Sequence, residues 1–240
     1  MQKVTQAVIL SAGLGTRLRP ITDALSKVMV PILGKPLLER NIEQFKKHGV
    51  NEFFINLFHL PDTITNYLGD GTKWGVKIKY VLESKIQGTA GGVKNFEDKL
   101  GENFFVIYGD IFSLVNYSKM KDFINKKGGI IGMELIGNSD HPFDSDLVEV
   151  DENLKFLRIY PKPHRELPKI YKAMKGVYIF NRKILDYIPA QTYYEIDHQL
   201  LPKILEKEES FYGYECDDYL KDVGTLERYK EVVDYLSKKN

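Results

Sequence analysis

The chain has 240 residues, 43% of them hydrophobic, with 34 Lys and Arg against 33 Asp and Glu and a net charge of +1. That length supports one hydrophobic core with at most a subdomain insertion, and the balanced charge excludes a global field that would gather nucleic acid or an anionic membrane, so any anion binding must be local. The single cysteine, Cys216, excludes an intramolecular disulfide framework and is read as a buried thiol in a reducing compartment; with no leader-like start and no run near the ~20 apolar residues of a membrane span, a cytoplasmic chain is expected.

The first predicted strand, 4–10 (VTQAVIL), runs into SAGLGTRLRP. Gly13 and Gly15 allow a tight turn whose N–H groups approach an oxygen-rich ligand, as in a phosphate loop; an ordinary strand-to-helix turn that needs glycine fits the same residues. The dinucleotide pattern G-x-G-x-x-G fails because Leu18 stands at the third glycine, and G-x-x-x-x-G-K-[ST] has no match. Arg17, Arg19 and Lys27 cluster just beyond the glycines. Three cations beside such a loop suit a triphosphate of about four negative charges, whose chemistry depends on positioning and charge neutralisation.

Residues 37–49 (LLERNIEQFKKHG) predict a helix with Leu38, Ile42 and Phe45 on one face and Gly49 as its stop. Strands are expected at 51–57, 76–82 and 103–109, with a crossover helix over 90–100. This spacing means a parallel sheet with helices on its faces, binding ligands at the carboxyl ends of its strands. At one such end stands Asp110, in YGD, suited to Mg²⁺, which takes one or two carboxylates plus phosphate oxygens.

Beyond residue 128 the pattern turns β-rich: a strand over 128–137, a hairpin over 147–163 with its turn at Asp151-Glu152-Asn153, and a strand over 171–181. Asp222, in KDVGT, is a second candidate acid for metal-assisted chemistry on a nucleotide. A last helix follows, with Thr225 as cap, Glu227 in its first turn and Leu226, Tyr229, Val233 and Leu236 as its apolar stripe. His48, His59, His141, His164 and His198 lack zinc-site spacing and are read as structural or surface residues; no G-x-S-x-G elbow occurs.

In sequence order, LSAGLGTRLRPIT, SKVMVPILGKPLLE, LGDGTKWGVKIKY, GTAGG, YGD, PKP, KGVYIF and KDVGT resemble the sugar-1-phosphate nucleotidyltransferase family over about residues 4–235. The similarity is greatest to short mannose- or heptose-1-phosphate guanylyltransferase-like and uridylyltransferase-like members. The implied fold is α/β: a Rossmann-like, mostly parallel mixed sheet flanked by helices. It implies a single domain over 1–240, with a nucleotide-binding half at about 1–128 and a β-rich, sugar-phosphate-binding half with the last helix at about 129–240.

The resemblance also implies roles. Ser11, Ala12, Gly13, Gly15 and Thr16 surround the triphosphate, Arg17 bears on the leaving pyrophosphate and Lys27 bridges phosphates in the transition state. Glu83 and Gly88 read the base, and Asp110 and Asp222 hold Mg²⁺. Lys162 grips the phosphate of the sugar 1-phosphate, while Gly176 and Glu195 meet sugar hydroxyls. The implied partners are a nucleoside triphosphate and a sugar 1-phosphate, with neither nucleic acid nor membrane. Whether the chain is a homo-oligomer is left open, because the run 126–137 suits an interface strand and a core strand equally.

Several positions depart from the family pattern. Ser11 stands where many members have glycine or alanine. Pro161 replaces the glutamate that commonly precedes the lysine, so the partner orienting Lys162 is lost, and Ser145-Asp146 replaces a Gly-Val pair. Asp144 and Asp146 are read as solvated loop acids in preference to contacts with an unusual acceptor. Glu83 accepts hydrogen bonds only, which leans toward guanine and hence GTP with a mannose- or heptose-type sugar. The alternatives are uridylyl, thymidylyl or cytidylyl transfer to another sugar phosphate or small phosphorylated acceptor, and a nucleotide-sensing module without catalysis.

Overall fold

Gln6–Leu10 form the first strand, and Ala7, Val8 and Ile9 within it are fully buried, as expected of a parallel strand covered on both faces. The computed structural model describes residues 4–239; Met1–Lys3, on which the reading of the amino terminus partly falls, lie outside the described residues. Two compact units are present. One holds residues 5–86, 107–117 and 218–239, the other residues 4, 87–106 and 118–217.

In the first unit Gln6–Leu10 pairs in parallel with Glu52–Leu57, which pairs in parallel with Lys77–Leu82. Both partners fall where the apolar runs predicted them. The strand Asn103–Tyr108 ends in this unit, where the Gly109 N–H donates to the Leu10 carbonyl at 2.8 Å. Helix Leu37–Lys47 buries Leu38, Ile42 and Phe45 as expected, with Phe45 stacked on Tyr117 at 4.0 Å between centroids. It stops at Gly49, whose φ of +80° is open to glycine at little cost.

A short antiparallel ladder joins Ile111–Ser113 to Leu220–Asp222. The last helix, Leu226–Ser237, is capped as read: Thr225 Oγ1 accepts from the Arg228 N–H at 3.3 Å. Its stripe needs one correction. Val232 is the fully buried residue, while Leu226 is 39% exposed; Tyr229, Val233 and Leu236 pack partly buried against Ile32, Leu37, Phe112 and Val223. Leu226 lies in the helix's opening turn, before the buried face reaches its cluster.

In the second unit Lys172–Asn181 pairs antiparallel with Gly132–Gly137 and with Leu147–Val150, and Phe211–Glu215 adds a parallel strand to Gly132–Gly137. The expected hairpin forms between Leu147–Val150 and Phe156–Tyr160, its turn tied by Asp151 Oδ1, which accepts from the N–H groups of Asn153 and Lys155. The helix expected over 90–100 begins earlier and is shorter, Gly88–Lys94, followed by a 3₁₀ turn at Glu97–Lys99. Two interior glycines, Gly91 and Gly92, weaken helix propagation here.

Cys216 is half-buried rather than buried. The α/β class read from the sequence is what forms: a mixed sheet with helices packed on it, Rossmann-like in type. Among the described residues no helix is long and apolar enough to cross a membrane.

Candidate active site

The residues singled out by sequence fall into two groups, one in each unit. In the first unit the chain leaves strand Gln6–Leu10 as an irregular loop and closes in a 3₁₀ turn at Thr16–Leu18, so no α-helix follows the glycines. Gly15 does the turning, at φ +67°; a Cβ there would stand 3.0 Å from Lys27 Cβ and 3.1 Å from Thr22 Cγ2. Bare backbone at Gly15 thus lets the Lys27 stem pass beneath the loop. Gly13 has open space where a Cβ would be, and with Thr16 and Arg17 it lies exposed. Ser11 and Ala12 are buried beside the strand end.

Lys27 and Asp110 meet as an ion pair, their side chains 14% and 26% exposed. Gly109 makes that meeting possible, since a Cβ on it would sit 2.6 Å from the Leu10 carbonyl oxygen and 2.7 Å from Val28 Cγ1. The Val223 N–H donates to the Asp110 carbonyl at 2.7 Å, and Asp222 pairs with Ile111 in the ladder, so both aspartates come to one end of the same short sheet. Asp222 Oδ1 accepts from Arg228 Nη1 at 2.7 Å and from the Gly224 N–H at 3.1 Å. The Arg17 guanidinium lies against the same turn, 3.3 Å from where a Gly224 Cβ would stand. Arg19 is drawn away, paired at the surface with Asp23.

Two carboxylates on adjoining strand ends, with cations beside them for phosphate, are a donor set that fits Mg²⁺, whose remaining sites phosphate oxygens and water would fill. No cluster of three or more metal-ligating side chains occurs among the described residues. Glu83, 3% exposed, is fixed by Asn56: its Oε1 accepts from Asn56 Nδ2 at 2.8 Å, and Asn56 Oδ1 accepts from the Ser11 N–H at 2.7 Å. The candidate base-reading carboxylate is therefore tied to the glycine loop through one amide.

The second group is built on the other unit. Gly88, at φ +74°, opens helix Gly88–Lys94, and a Cβ on it would strike the Tyr194 carbonyl oxygen at 2.6 Å. The N–H groups of Ala90 and Gly91 donate to that carbonyl, and Thr89 Oγ1 accepts from the Ile196 N–H at 2.8 Å. GTAGG therefore seats the segment carrying Glu195. Gly176, at φ +65°, forms a bulge in Lys172–Asn181, where it and Lys175 donate their N–H groups to Glu134 Oε1, each at 3.0 Å.

Lys162, its side chain 44% exposed, is held by Asp146. Asp146 Oδ2 lies 3.1 Å from its ammonium, and Asp146 Oδ1 accepts both the Lys162 backbone N–H at 3.0 Å and His198 Nε2 at 2.8 Å. The expectation of a solvated Asp146 is overturned: its side chain is 7% exposed and supplies the orienting carboxylate that Pro161 removed. Burial alone would raise its pKa, but the Lys162 charge and the hydrogen bonds from Lys162 and His198 hold it below the ordinary carboxylate value. Asp144 is exposed, as expected.

The nucleotidyl transferase family profile matches residues 6–239 of this chain. The chain belongs to that family. The resemblance read from the motifs is thereby borne out. Among curated relatives of the family, the UTP–glucose-1-phosphate uridylyltransferase of Synechocystis is 31% identical over 95% of this chain and 62% of its own length. The mannose-1-phosphate guanylyltransferase of Mycobacterium tuberculosis is 29% identical over 92% of this chain and 61% of its own. The chain thus spans about three fifths of these relatives. Among solved structures, HddC from Yersinia pseudotuberculosis superposes with a TM-score of 0.80 at 26% identity, covering 97% of this chain and 100% of that one, and it has also been solved complexed with GMP-PN.

Asn56, Glu134, Arg228 and the place of His198 do not emerge from the sequence, where His198 reads as a structural or surface residue. A signal existed for His198, three residues after Glu195 and so on one face of any helical turn. Glu134 left none. It is fully buried, its Oε2 has no partner among the described residues, and burial followed by the nearby Asp197 charge raises its pKa well above the ordinary 4.5. The fold therefore favours its protonated form.

A carboxyl whose folded pKa is raised contributes stability below its unfolded pKa and loses it as pH rises toward the folded value, at about 1.4 kcal/mol per unit. Glu134→Gln keeps the acceptor for Lys175 and Gly176 and removes the titration. At pH 5 its melting temperature should match wild type; at pH 9 it should exceed wild type by roughly 2–4 °C or more. Equal destabilisation at both values would mean that Glu134 is ionised in the fold.

Proposed function

We propose that this chain transfers a nucleotidyl group from a nucleoside triphosphate to a sugar 1-phosphate and releases pyrophosphate, with GTP and a mannose- or heptose-type sugar as the favoured pair. The observation that carries the reading is the convergence, around the loop 11–17, of Lys27, Arg17, Asp110 and Asp222. A sensor that had lost transfer has no reason to keep all four.

The acceptor's phosphate oxygen attacks the α-phosphorus, a new P–O bond forms, and the bond to the β-phosphate's bridging oxygen breaks, its electron pair leaving with pyrophosphate. The nucleophile is already an anion, so no general base is needed. The barrier lies in bringing two anions together in line, which positioning and preorganised cations lower. Lys27 neutralises charge at the phosphates and Arg17 at the departing pyrophosphate. Mg²⁺, held by Asp110 and Asp222 when bound, supplies further charge neutralisation at the triphosphate. In the other unit, which comprises most of the second half of the chain, Lys162 takes the acceptor phosphate, with Gly176 and Glu195 toward the sugar.

The guanine reading is supported by Glu83, a pure acceptor fixed by Asn56 and able to take two donors from a guanine edge, and by the likeness to a guanylyltransferase and to a protein solved with GMP-PN. The uridylyl reading is supported by the 31% identity to the Synechocystis uridylyltransferase. Pyrophosphate release with Mg²⁺, measured across GTP, UTP, dTTP, CTP and ATP against mannose, heptose, glucose and N-acetylglucosamine 1-phosphates, tests both. Highest turnover with GTP and mannose or heptose 1-phosphate is expected. UTP with glucose 1-phosphate would transfer the assignment to the second reading, and silence across the grid with nucleotide binding intact would leave a sensor.

A further inference from the structure

Both ring nitrogens of His198 face carboxylates: Nε2 lies 2.8 Å from Asp146 Oδ1, and Nδ1 lies 3.3 Å from Glu195 Oε2. Ionised carboxylates only accept, so the imidazolium, which donates from both nitrogens, is the form that satisfies this geometry. Asp146 in turn grips the Lys162 ammonium. The result is a continuous chain, Glu195–His198–Asp146–Lys162, whose outer members are the residues assigned to the sugar and to its phosphate. We propose that Asp146 and His198 are positioning residues that turn Lys162 and Glu195 into one acceptor clamp, whose grip on a sugar 1-phosphate depends on the charge carried by His198.

The clamp rests on the transfer reading above for its ligand, and on geometry for its operation. With His198 charged, Asp146 is neutralised from two sides and the Lys162 ammonium, 44% exposed, keeps positive charge for a phosphate dianion. With His198 neutral, Asp146 keeps only Lys162 as a cationic partner among the described residues and the site loses one unit of positive charge. The surroundings reinforce the charged form. Asp197 and Glu195 lie on its own turn and Asp146 belongs to the loop ahead of Leu147–Val150; Asp144, in the same loop, acts on Lys162, and burial favours the protonated form of Glu134 on Gly132–Gly137. His164 and His141 turn to Ser145 instead, through its carbonyl and its hydroxyl. Burial by itself would lower the His198 pKa; the hydrogen bond and charge of Asp146, followed by Glu195 and Asp197, hold it above the ordinary 6.5.

The test uses the full chain, with mannose 1-phosphate and glucose 1-phosphate as probes. Their dissociation constants are measured by calorimetry between pH 6.5 and 8.5, where a phosphate monoester with its second pKa near 6 is largely the dianion throughout. Wild type should bind the better probe about tenfold more weakly at the upper pH, the scale of losing one nearby charge. His198→Gln, whose amide nitrogen can still donate to Asp146 but which carries no charge at any pH, should bind at the weak level across the range. In Asp146→Asn the His198 ring-proton titration, followed by NMR and assigned with His198→Gln, should move to lower pH. GTP and UTP binding serve as controls that a general loss of structure would move and the clamp would not.

A wild-type pH dependence that survives in His198→Gln overturns the clamp, and so does failure of both probes to bind wild type. The transfer reading stands or falls separately. Turnover without a His198-dependent slope removes the clamp alone, whereas a His198-dependent slope without pyrophosphate release supports the clamp and removes the transfer reading.

Discussion

Lys27→Ala is expected to lower turnover by roughly 10²–10³-fold, the scale of removing one preorganised group aimed at developing charge. The reasons are local. The ammonium is 14% exposed, its stem is fixed under Gly15, and it is held against Asp110 before any substrate arrives, so little reorganisation is needed when the phosphates react. Truncation removes the charge and leaves Asp110 facing the phosphates as an uncompensated anion. Because the pair is partly exposed, the melting temperature should change little. The effect should appear in kcat with either nucleotide, since the role proposed for Lys27 is at phosphate and not at the base. A folded Lys27→Ala protein with near-normal kcat would remove Lys27 from the chemistry.

Asp110→Asn should lose rate on a similar scale, but through a different dependence. The amide keeps the side chain's shape and removes both its attraction for Lys27 and its capacity as an anionic, hard oxygen ligand. The Mg²⁺ concentration for half-maximal rate should therefore rise at least about tenfold, whereas Lys27→Ala should leave it close to wild type. This contrast separates the two members of one ion pair. Contacting residues are not additive, so the double variant should lose less than the product of the single losses. Wild-type Mg²⁺ half-saturation in Asp110→Asn would show that Asp110 serves Lys27 alone.

Much of the first unit was legible in the chain because its signals are local. Apolar runs of strand length at 4–10 and 51–57 are satisfied by burial on both faces, 76–82 alternates as an edge strand does, and a glycine loop directly after the first of them leaves few structures open. Leu38, Ile42 and Phe45 fix a helix face by period alone, and Thr225 announces the last helix by its side-chain oxygen. The family was also legible, since eight short motifs in one order constrain the chain far more than any one of them.

What the tertiary structure alone decided is who partners whom across long separations. No local rule connects Asn56 to Glu83, 27 residues on, or Asp146 to both Lys162 and His198, 16 and 52 residues away. Taken alone, Asp146 is a loop acid, and loop acids are ordinarily solvated; its burial follows from Lys162 and His198 arriving from other elements to neutralise it. Sequence therefore determined the elements, the loop and the chemical class, because propensity, period and motif act within a few residues. Burial and pairing act through space, so the contacts of Asp146 with Lys162 and His198, the burial of Glu134 and the fixing of Glu83 by Asn56 exist only once the chain has folded.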